Sequence, residues 1–203
     1  MTAVKTASKK PVALPLAAAP FAIRAERGSD VAAREALLDV CFGQGRNART
    51  CQRLRDGRVP AEGLAFSAVA RGKLVGTVRL WHVSAGGRAA LVLGPLAVDP
   101  AWQKYGIGAA LMRHAIETAR AQGHMAIILL GDAPYYARFG FEPANAAELH
   151  LPGDFERERL LGLELAPGAL AGAWGMIMPT GKPVVTARGL RTTRRKRFAV
   201  QAA

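Results

Sequence analysis

The spacing of apolar residues alternates between two periods along the chain, which predicts strands interleaved with helices. Apolar positions recur at helical spacing over 30–40 and over 106–122, where they occupy one broad face and Gly123 follows as a C-cap. A more basic helix is predicted around 47–55, and one or two helical turns over 133–141. Shorter and more continuous apolar runs predict strands at 21–24, 64–70, 74–83, 89–98, 125–131 and 160–165.

Three of these strands follow one another with only short turns between them. The turns read RGK, after residue 70, and SAGGR, after residue 83, so the segment 64–98 is predicted to be an antiparallel meander. Gly94 and Pro95 interrupt its third strand. Because proline cannot donate a ladder hydrogen bond, a bulge or a local splaying of this strand is expected there.

The amino-acid composition limits the classes of protein to which the chain can belong. The chain has 203 residues, half of them apolar, which is enough for one domain with a proper core. No apolar run approaches the roughly 20 residues of a membrane-spanning helix. The two cysteines, Cys41 and Cys51, give neither a disulfide framework nor metal-ligand spacing. We therefore expect a cytoplasmic protein without a membrane anchor or a bound metal.

The charge is concentrated at the two ends. Of the net charge of +13, residues 1–20 contribute three lysines and residues 179–203 contribute seven basic side chains, with no acid in either segment. The body, 21–178, is nearly balanced. We predict a flexible basic leader (1–20), one domain (21–178) and a disordered basic tail (179–203). The run RTTRRKRF would attract polyanions weakly, or it is simply a solvated tail.

The stretch QKYGIGA, Gln103 to Ala109, lies between the third strand of the meander and the long helix. The start of a helix has free backbone N–H groups and the positive end of the helix dipole. Gly106 and Gly108 remove the side chains that would keep a phosphate away from those groups. The spacing fits neither the P-loop nor the dinucleotide-binding glycine pattern, and a plain helix-start turn is the alternative.

The Gln-x-x-Gly-x-Gly-Ala stretch and the later PYYARFGF together resemble two motifs of the GNAT superfamily of N-acetyltransferases. In the second motif the matching residues are Ala133, Tyr135, Tyr136, Gly140 and Phe141. The resemblance covers about residues 21–165. It implies an α/β (α+β) fold with a mixed, mostly antiparallel sheet of six to seven strands. A splay is expected between the fourth and fifth strands, and about four helices flank the sheet.

The resemblance also implies a cofactor and its binding residues. Acetyl-CoA would be the co-substrate, its pyrophosphate on the backbone N–H groups of Tyr105 to Ala109 and its pantetheine arm beside the fourth strand. A longer acyl-CoA stays an alternative. The implied cofactor-binding residues are Leu96, Ala97, Val98, Gln103, Lys104, Tyr105, Gly106, Ile107, Gly108 and Ala109.

Acyl transfer to an amine needs an acid for the departing thiolate and a base for the amine. By the family resemblance, Tyr136 is the candidate acid and Tyr135 the flanking alternative, unless both tyrosines only pack. Val92 occupies the position where some members of the family carry a glutamate base. His82 is then a candidate base because histidine as a residue type titrates near neutral pH, or it is a strand-end residue that faces solvent.

The arginines of the segment 46–55 would lie near the acceptor site in this family. They either favour an anionic acceptor or form a solvated helix face. They are Arg46, Arg49, Arg53 and Arg55.

The function implied is transfer of an acetyl group from acetyl-CoA to a primary amine by direct transfer in a ternary complex. The amine could belong to a small molecule, to a protein lysine or to a protein N-terminus. The alternatives are a nucleic-acid- or ribosome-associated binding protein that uses its basic tails, and an inert acyl-CoA sensor. A monomer and a homodimer are both compatible with the sequence.

Overall fold

One mixed sheet of eight strands organises residues 20–185, the part of the chain that the computed structural model describes. Its main path has the order β1-β2-β3-β4-β5-β7. The predicted mixed, mostly antiparallel sheet is confirmed. The strands are β1 (Ala22–Ala25), β2 (Ala65–Ala70), β3 (Lys73–Ala85), β4 (Arg88–Val98), β5 (Ala126–Leu130), β6 (Leu149–His150), β7 (Leu160–Glu164) and β8 (Gly175–Pro179).

Strands β2, β3 and β4 form the predicted antiparallel meander. Each connection is a two-residue turn, Arg71–Gly72 and then Gly86–Gly87, and every residue in both turns has a positive φ. Such turns match the right-handed twist of the strands they join. In β4, Gly94 and Pro95 together oppose a single residue of β3, Arg79, which is the predicted bulge.

The two short strands β6 and β8 were not predicted and raise the number of strands above the expected six to seven. β8 pairs with the end of β3 and, in parallel, with β6. It alternates between buried Ile177 and exposed Met176 and Met178. Its five residues follow a glycine-rich stretch, and so short a run gives a weak periodicity signal.

Three α-helices and several 3₁₀ segments accompany the sheet within these residues. The α-helices are α1 (Val31–Phe42), α2 (Ile107–Ala121) and α3 (Ala133–Tyr136). α2 matches the predicted long helix. The helix predicted around 47–55 is instead two 3₁₀ segments, Gln44–Ala48 and Thr50–Leu54. The two segments are separated at Arg49, whose φ and ψ are extended, so a single helix does not form.

The core lies on both faces of the sheet. On one face α2 packs its buried residues, Leu111 and Ile116 among them, against alternate residues of β2 to β5. On the other face Trp81 of β3 and Ile128 of β5 join a second apolar cluster with the segments around β6 and β8. α1 packs separately against Ala97 of β4. Strand β4 is therefore covered on both faces.

The ends of the chain lie mostly outside the described residues. The predicted leader falls there except for Pro20, and the predicted tail does so beyond residue 185. Residues 179–185 continue the fold, and the Val184 N–H donates to the Gly57 carbonyl at 2.7 Å. Among residues 20–185, no helix has the length and apolar character needed to cross a membrane. The same residues contain no group of three or more His, Cys, Asp or Glu placed to hold a metal.

Candidate active site

A cavity of about 1040 Å³ opens where β4 and β5 separate. The two strands run parallel but pair only through Leu91 and Val92 with Ile127 and Ile128. The bulge in β4 follows directly. On the face of the sheet away from α2, the indole N–H of Trp81 donates to the Gly94 carbonyl at 2.8 Å, and this hydrogen bond fixes the bulge. The splay predicted between the fourth and fifth strands is therefore present.

The cavity reaches both faces of the sheet. On the face covered by α2, it is lined by the start of that helix and by Tyr135 and Tyr136. On the other face, it is lined by Leu38 and Phe42 of α1 and by residues of the two 3₁₀ segments. Two molecules could therefore approach the same opening from opposite sides of the sheet.

The start of α2 presents free backbone donors to this cavity. The first backbone hydrogen bond of the helix runs from the Ala110 N–H to the Gly106 carbonyl at 3.0 Å. The N–H groups of Ile107, Gly108 and Ala109 precede it and, within residues 20–185, have no backbone acceptor. Gly106 has a φ of +71°, which favours glycine, and turns the preceding 3₁₀ segment Pro100–Tyr105 into the helix. The arrangement suits an anion.

A close approach of α2 to the sheet positions these donors. Ile107 is fully buried, and a Cβ built on Gly76 of β3 would lie only 2.9 Å from its Cγ2. The glycine in β3 thus lets the first residue of the helix sit against the sheet. At Gly108 a Cβ would lie 3.3 Å from the Tyr135 hydroxyl and 3.6 Å from Cγ2 of Val98. Any side chain there would fill the mouth of the cavity.

Tyr136 lies half-buried beside the end of β5. A Cβ built on Gly131 would be 2.2 Å from Cε2 of Tyr136, so the ring occupies space that only a glycine leaves free. The ring also packs edge-on against Phe141, with 6.0 Å between centroids. Burial above all, and then the nearby Tyr135 and Asp132, raises the pKa of Tyr136 to about 12. The hydroxyl therefore keeps its proton at neutral pH and can donate a hydrogen bond.

Tyr135 occupies a different part of the cavity. Its hydroxyl lies over the start of α2, beside Gly108, whereas the Tyr136 ring lies against the end of β5. The Arg138 guanidinium lies 4.6 Å from the centroid of the Tyr135 ring. The two rings meet edge to face at 4.9 Å. Neighbours in sequence, the two tyrosines thus have separate surroundings and can be tested separately.

Comparison with known proteins agrees with this geometry. A family model described as an acetyltransferase (GNAT) domain matches residues 61–143. The crystal structure of YhbS from Escherichia coli, a GNAT-family N-acetyltransferase in complex with CoA, matches with a TM-score of 0.68 at 28% identity. The match covers 83% of this chain and 94% of that chain.

The chain belongs to the GNAT superfamily of N-acetyltransferases. In sequence it is 29% identical to YhbS of E. coli K12 over 157 residues, 76% of this chain and 93% of YhbS. It is 34% identical to the uncharacterized N-acetyltransferase YjhQ over 106 residues, 50% of this chain and 59% of YjhQ. A Brucella melitensis GNAT-family acetyltransferase in complex with acetyl-CoA matches with a TM-score of 0.54 at 27% identity. That match covers 82% of this chain and 96% of the other.

The structure of this GNAT protein brings together much of the predicted cofactor site. The predicted residues that line the cavity are Leu96, Val98, Gln103, Gly106, Gly108 and Ala109. Other predicted residues point elsewhere: Ala97 and Ile107 are buried, and Lys104 and Tyr105 are exposed outside the cavity. Of the latter four, Ile107 still contributes its free backbone N–H.

His82, the predicted base, lies away from the cavity. It sits on β3 opposite Leu91, before the point where β4 and β5 separate, and it does not line the cavity. Its ring lies 5.4 Å from that of His124, just beyond the end of α2. The structure does not bring His82 together with Tyr136, so its position gives no support to a role as base.

Three of the four arginines in the segment 46–55 line the cavity. Arg46 is neutralised by two acids of α1, at 2.7 and 2.5 Å. Arg49 lies over an aromatic ring of the same helix, and Arg53, outside the cavity, donates to a backbone carbonyl at 2.6 Å. Arg55 lines the cavity without such a partner among the described residues. The sequence alone could not distinguish the roles of these four arginines.

A second set of cavity-lining residues could not be predicted from the sequence. Asp154, Phe155, Glu156 and Arg159 reach the cavity from the connection between β6 and β7. This connection lies outside both family motifs and has no helical or strand periodicity. Recognition of β6 and β8 would have located it near the opening.

Proposed function

We propose that this protein transfers an acetyl group from acetyl-CoA to a primary amine, with both substrates bound at the splay between β4 and β5. The observation that carries the proposal is the cavity at the splay, which reaches both faces of the sheet and lies beside the bare N-terminus of α2. An acetyl donor can enter on the α2 side and an amine on the side of α1 and the 3₁₀ segments. Direct transfer in a ternary complex then needs no covalent enzyme intermediate.

The residues at the start of α2 fit the pyrophosphate of acetyl-CoA. The N–H groups of Ile107, Gly108 and Ala109 are free within the described chain, and the helix dipole favours negative charge at this end. Gly108 leaves open the space that a Cβ would fill. Leu96 and Val98 line the same cavity beside the separated edge of β4, where an extended arm can lie along the strand.

Acetyl-CoA supplies the thioester carbonyl that the amine attacks. Tyr136 holds its proton at neutral pH and donates a hydrogen bond toward the departing sulfur. Because its pKa of about 12 lies well above the value of about 8.5 for a free thiol, a hydrogen bond is favoured over complete proton transfer. Gly131 leaves the space in which the ring is held for that purpose.

Calorimetry and a turnover assay test the proposal together. Purified protein titrated with acetyl-CoA should bind one equivalent, and it should release CoA when a suitable amine is added. CoA release is best followed by mass spectrometry, since the chain itself carries two free cysteines that would react with a thiol reagent. Absence of acetyl-CoA binding would refute the proposal. Binding without turnover on any class of amine would instead favour the inert sensor.

A further inference from the structure

Arg55 is a charged residue of the cavity that no acid of the described residues neutralises. It follows directly after the 3₁₀ segment Thr50–Leu54 and lines the cavity. A Cβ built on Gly94 would lie 3.5 Å from its Nη1, so the guanidinium reaches the bulge in β4 where the splay opens. Its Nε is buried and has no hydrogen-bond partner in residues 20–185.

Two other arginines of the described chain that are buried or half-buried are paired with acids. Arg24 donates to both oxygens of Asp30 at 2.6 and 2.8 Å. Arg34, which is buried, pairs with Glu26 at 2.5 Å. Asp56, next to Arg55 in sequence, accepts instead from the Gln52 side chain at 2.6 Å. An enclosed guanidinium without an acid is unfavourable for the fold, which suggests that its partner comes from outside the chain.

We infer that Arg55 binds a carboxylate of the acceptor, so that the substrate is a small amine with a carboxylate beside the amino group, as in an α-amino acid. The inference rests on the proposed function and specifies its acceptor. The planar guanidinium forms two parallel hydrogen bonds to a carboxylate, which fixes the acceptor's orientation. With the carboxylate held at Gly94, the adjacent amine lies at the splay, where transfer takes place.

An acid on this wall suits a zwitterion rather than a simple anion. Asp154 lines the same cavity and attracts the ammonium form of the incoming amine, whereas Glu156 already pairs with Arg159 at 3.5 Å. Arg46 is already neutralised by its two acids and does not compete for the carboxylate. Burial, the largest influence, lowers the pKa of Arg55 from its ordinary value, and a bound carboxylate would offset that desolvation.

The test compares matched acceptors by CoA release from acetyl-CoA. The panel contains free α-amino acids, the corresponding α-carboxamides and decarboxylated amines, and aminoalkyl phosphates. We expect kcat/KM for the best α-amino acid to exceed that for its carboxamide by roughly 10²-fold, since the site would leave its guanidinium unpaired with the amide. A ratio near one, or a preference for the phosphates, overturns the inference.

Substitution assigns that preference to Arg55. In Arg55→Met the ratio of carboxylate to carboxamide should fall close to one, and Arg55→Lys should restore only part of it because a lysine cannot form the two parallel hydrogen bonds. Arg120→Met is the matched control: Arg120 is exposed on α2, outside the cavity, and its loss should leave the ratio unchanged. An Arg55→Met variant that keeps the wild-type ratio contradicts the inference.

The outcomes separate this inference from the proposed function. If the protein binds acetyl-CoA but acetylates no α-amino acid, the inference fails and the proposed function survives. If it binds no acetyl-CoA, the proposed function itself fails. The preference of the wild-type protein is measured without any variant, so it decides the inference even where a substitution prevents folding.

Discussion

The two walls of the cavity are built from different parts of the chain. The wall at the start of α2 is made largely of backbone: free N–H groups, Gly106 and Gly108, and the separated edge of β4. The wall on the opposite face is made of side chains from α1, from the 3₁₀ segments and from residues 154–159. A backbone wall can bind the same phosphates in many relatives, whereas a side-chain wall can change its partner by single substitutions.

This difference determines what a substitution should do on each side. On the backbone wall, acetyl-CoA affinity is lowered by adding atoms, because the binding of the phosphates depends on space and on N–H groups that no substitution other than proline removes. Tyr136 is the side chain of this wall whose loss should lower kcat instead. On the side-chain wall, damage comes from removing a charge, and the change should appear in acceptor preference before it appears in acetyl-CoA affinity. The following predictions test this division, in order of decreasing expected effect.

Gly108→Val should have the largest effect, on acetyl-CoA affinity. The added side chain stands at the mouth of the cavity beside Tyr135 and Val98. Loss of two charge-assisted hydrogen bonds, about 1.5–3 kcal/mol each, lowers the affinity by roughly 10³-fold. Calorimetry measures it. Gly28→Val is the control, since a Cβ at Gly28 meets no atom within 4 Å. Unchanged affinity in Gly108→Val would remove the start of α2 from the binding site.

Tyr136→Phe should lower kcat while it leaves acetyl-CoA affinity nearly unchanged. Because Tyr136 donates a hydrogen bond rather than a complete proton, and because a thiolate is a moderately good leaving group, the loss should lie at the low end of the 10²–10⁴-fold range typical of general acids, at about 10²-fold. Tyr135→Phe is the matched control and should lower kcat less. If Tyr135→Phe is the more damaging change, the assignment of the donor is wrong.

The same tyrosine predicts a feature of the pH dependence. Because the pKa of Tyr136 is raised to about 12, its hydroxyl stays protonated, and kcat should not fall through its ionisation up to about pH 10. The measurement is the kcat profile of the wild type and of Tyr136→Phe between neutral pH and pH 10. A decrease near pH 9 that disappears in Tyr136→Phe would contradict the raised pKa.

Stability distinguishes a paired arginine from the unpaired one. Arg24→Met leaves the buried Asp30 without its guanidinium and should lower the free energy of unfolding by about 2 kcal/mol. Arg55→Met removes an enclosed charge without a partner and should raise it by about 1 kcal/mol. Denaturant unfolding measures both. A clear loss of stability in Arg55→Met would indicate a structural role for that arginine.

The stability difference caused by Arg24 should depend on pH. The hydrogen bond from Arg24 holds the pKa of Asp30 below its ordinary value, so this stabilisation is present above the unfolded value of about 4 and is lost as pH falls below it. The difference between wild type and Arg24→Met should therefore be full at pH 7 and shrink below about pH 4. A difference independent of pH would exclude the ion pair as its source.

Truncation after residue 185 should have the smallest effect on the cavity. The shortened chain keeps β8 and the Val184–Gly57 hydrogen bond but loses Arg188, Arg191 and the run from Arg194 to Arg197. Acetyl-CoA affinity and turnover should be unchanged, while affinity for a polyanion such as heparin falls and loses its steep salt dependence. A folded truncated chain without turnover at saturating acceptor would contradict the independence of the tail.

The parts of the fold that the sequence predicts well are those with strong periodicity or obligatory turn chemistry. The meander follows from alternating runs and tight turns, and α2 from one broad apolar face ending at Gly123. The bulge follows from Pro95, which cannot donate. By contrast, β6 and β8 are two and five residues long, and their pairing is decided by packing against the end of β3.

The residues of the candidate site also divide into those that the sequence predicts and those that only the fold reveals. Gly106 and Gly108 could be identified because their backbone requirement is local and is written as residue type at fixed spacing. Arg55 could not be separated from Arg53, two positions earlier, because the enclosure that distinguishes them depends on where the 3₁₀ segment meets the bulge in β4. His82 is of a residue type that commonly acts as a base, but its distance from the opening along β3 is a property of the fold that the sequence does not show.

A crystal structure of the protein with bound CoA tests the central claim most directly. The account predicts pyrophosphate oxygens within hydrogen-bond distance of the Gly108 N–H and its neighbours, the pantetheine arm beside Leu96 and Val98 of β4, and the sulfur within reach of the Tyr136 hydroxyl. CoA bound outside the splay, or a sulfur directed to Tyr135 instead of Tyr136, would contradict it.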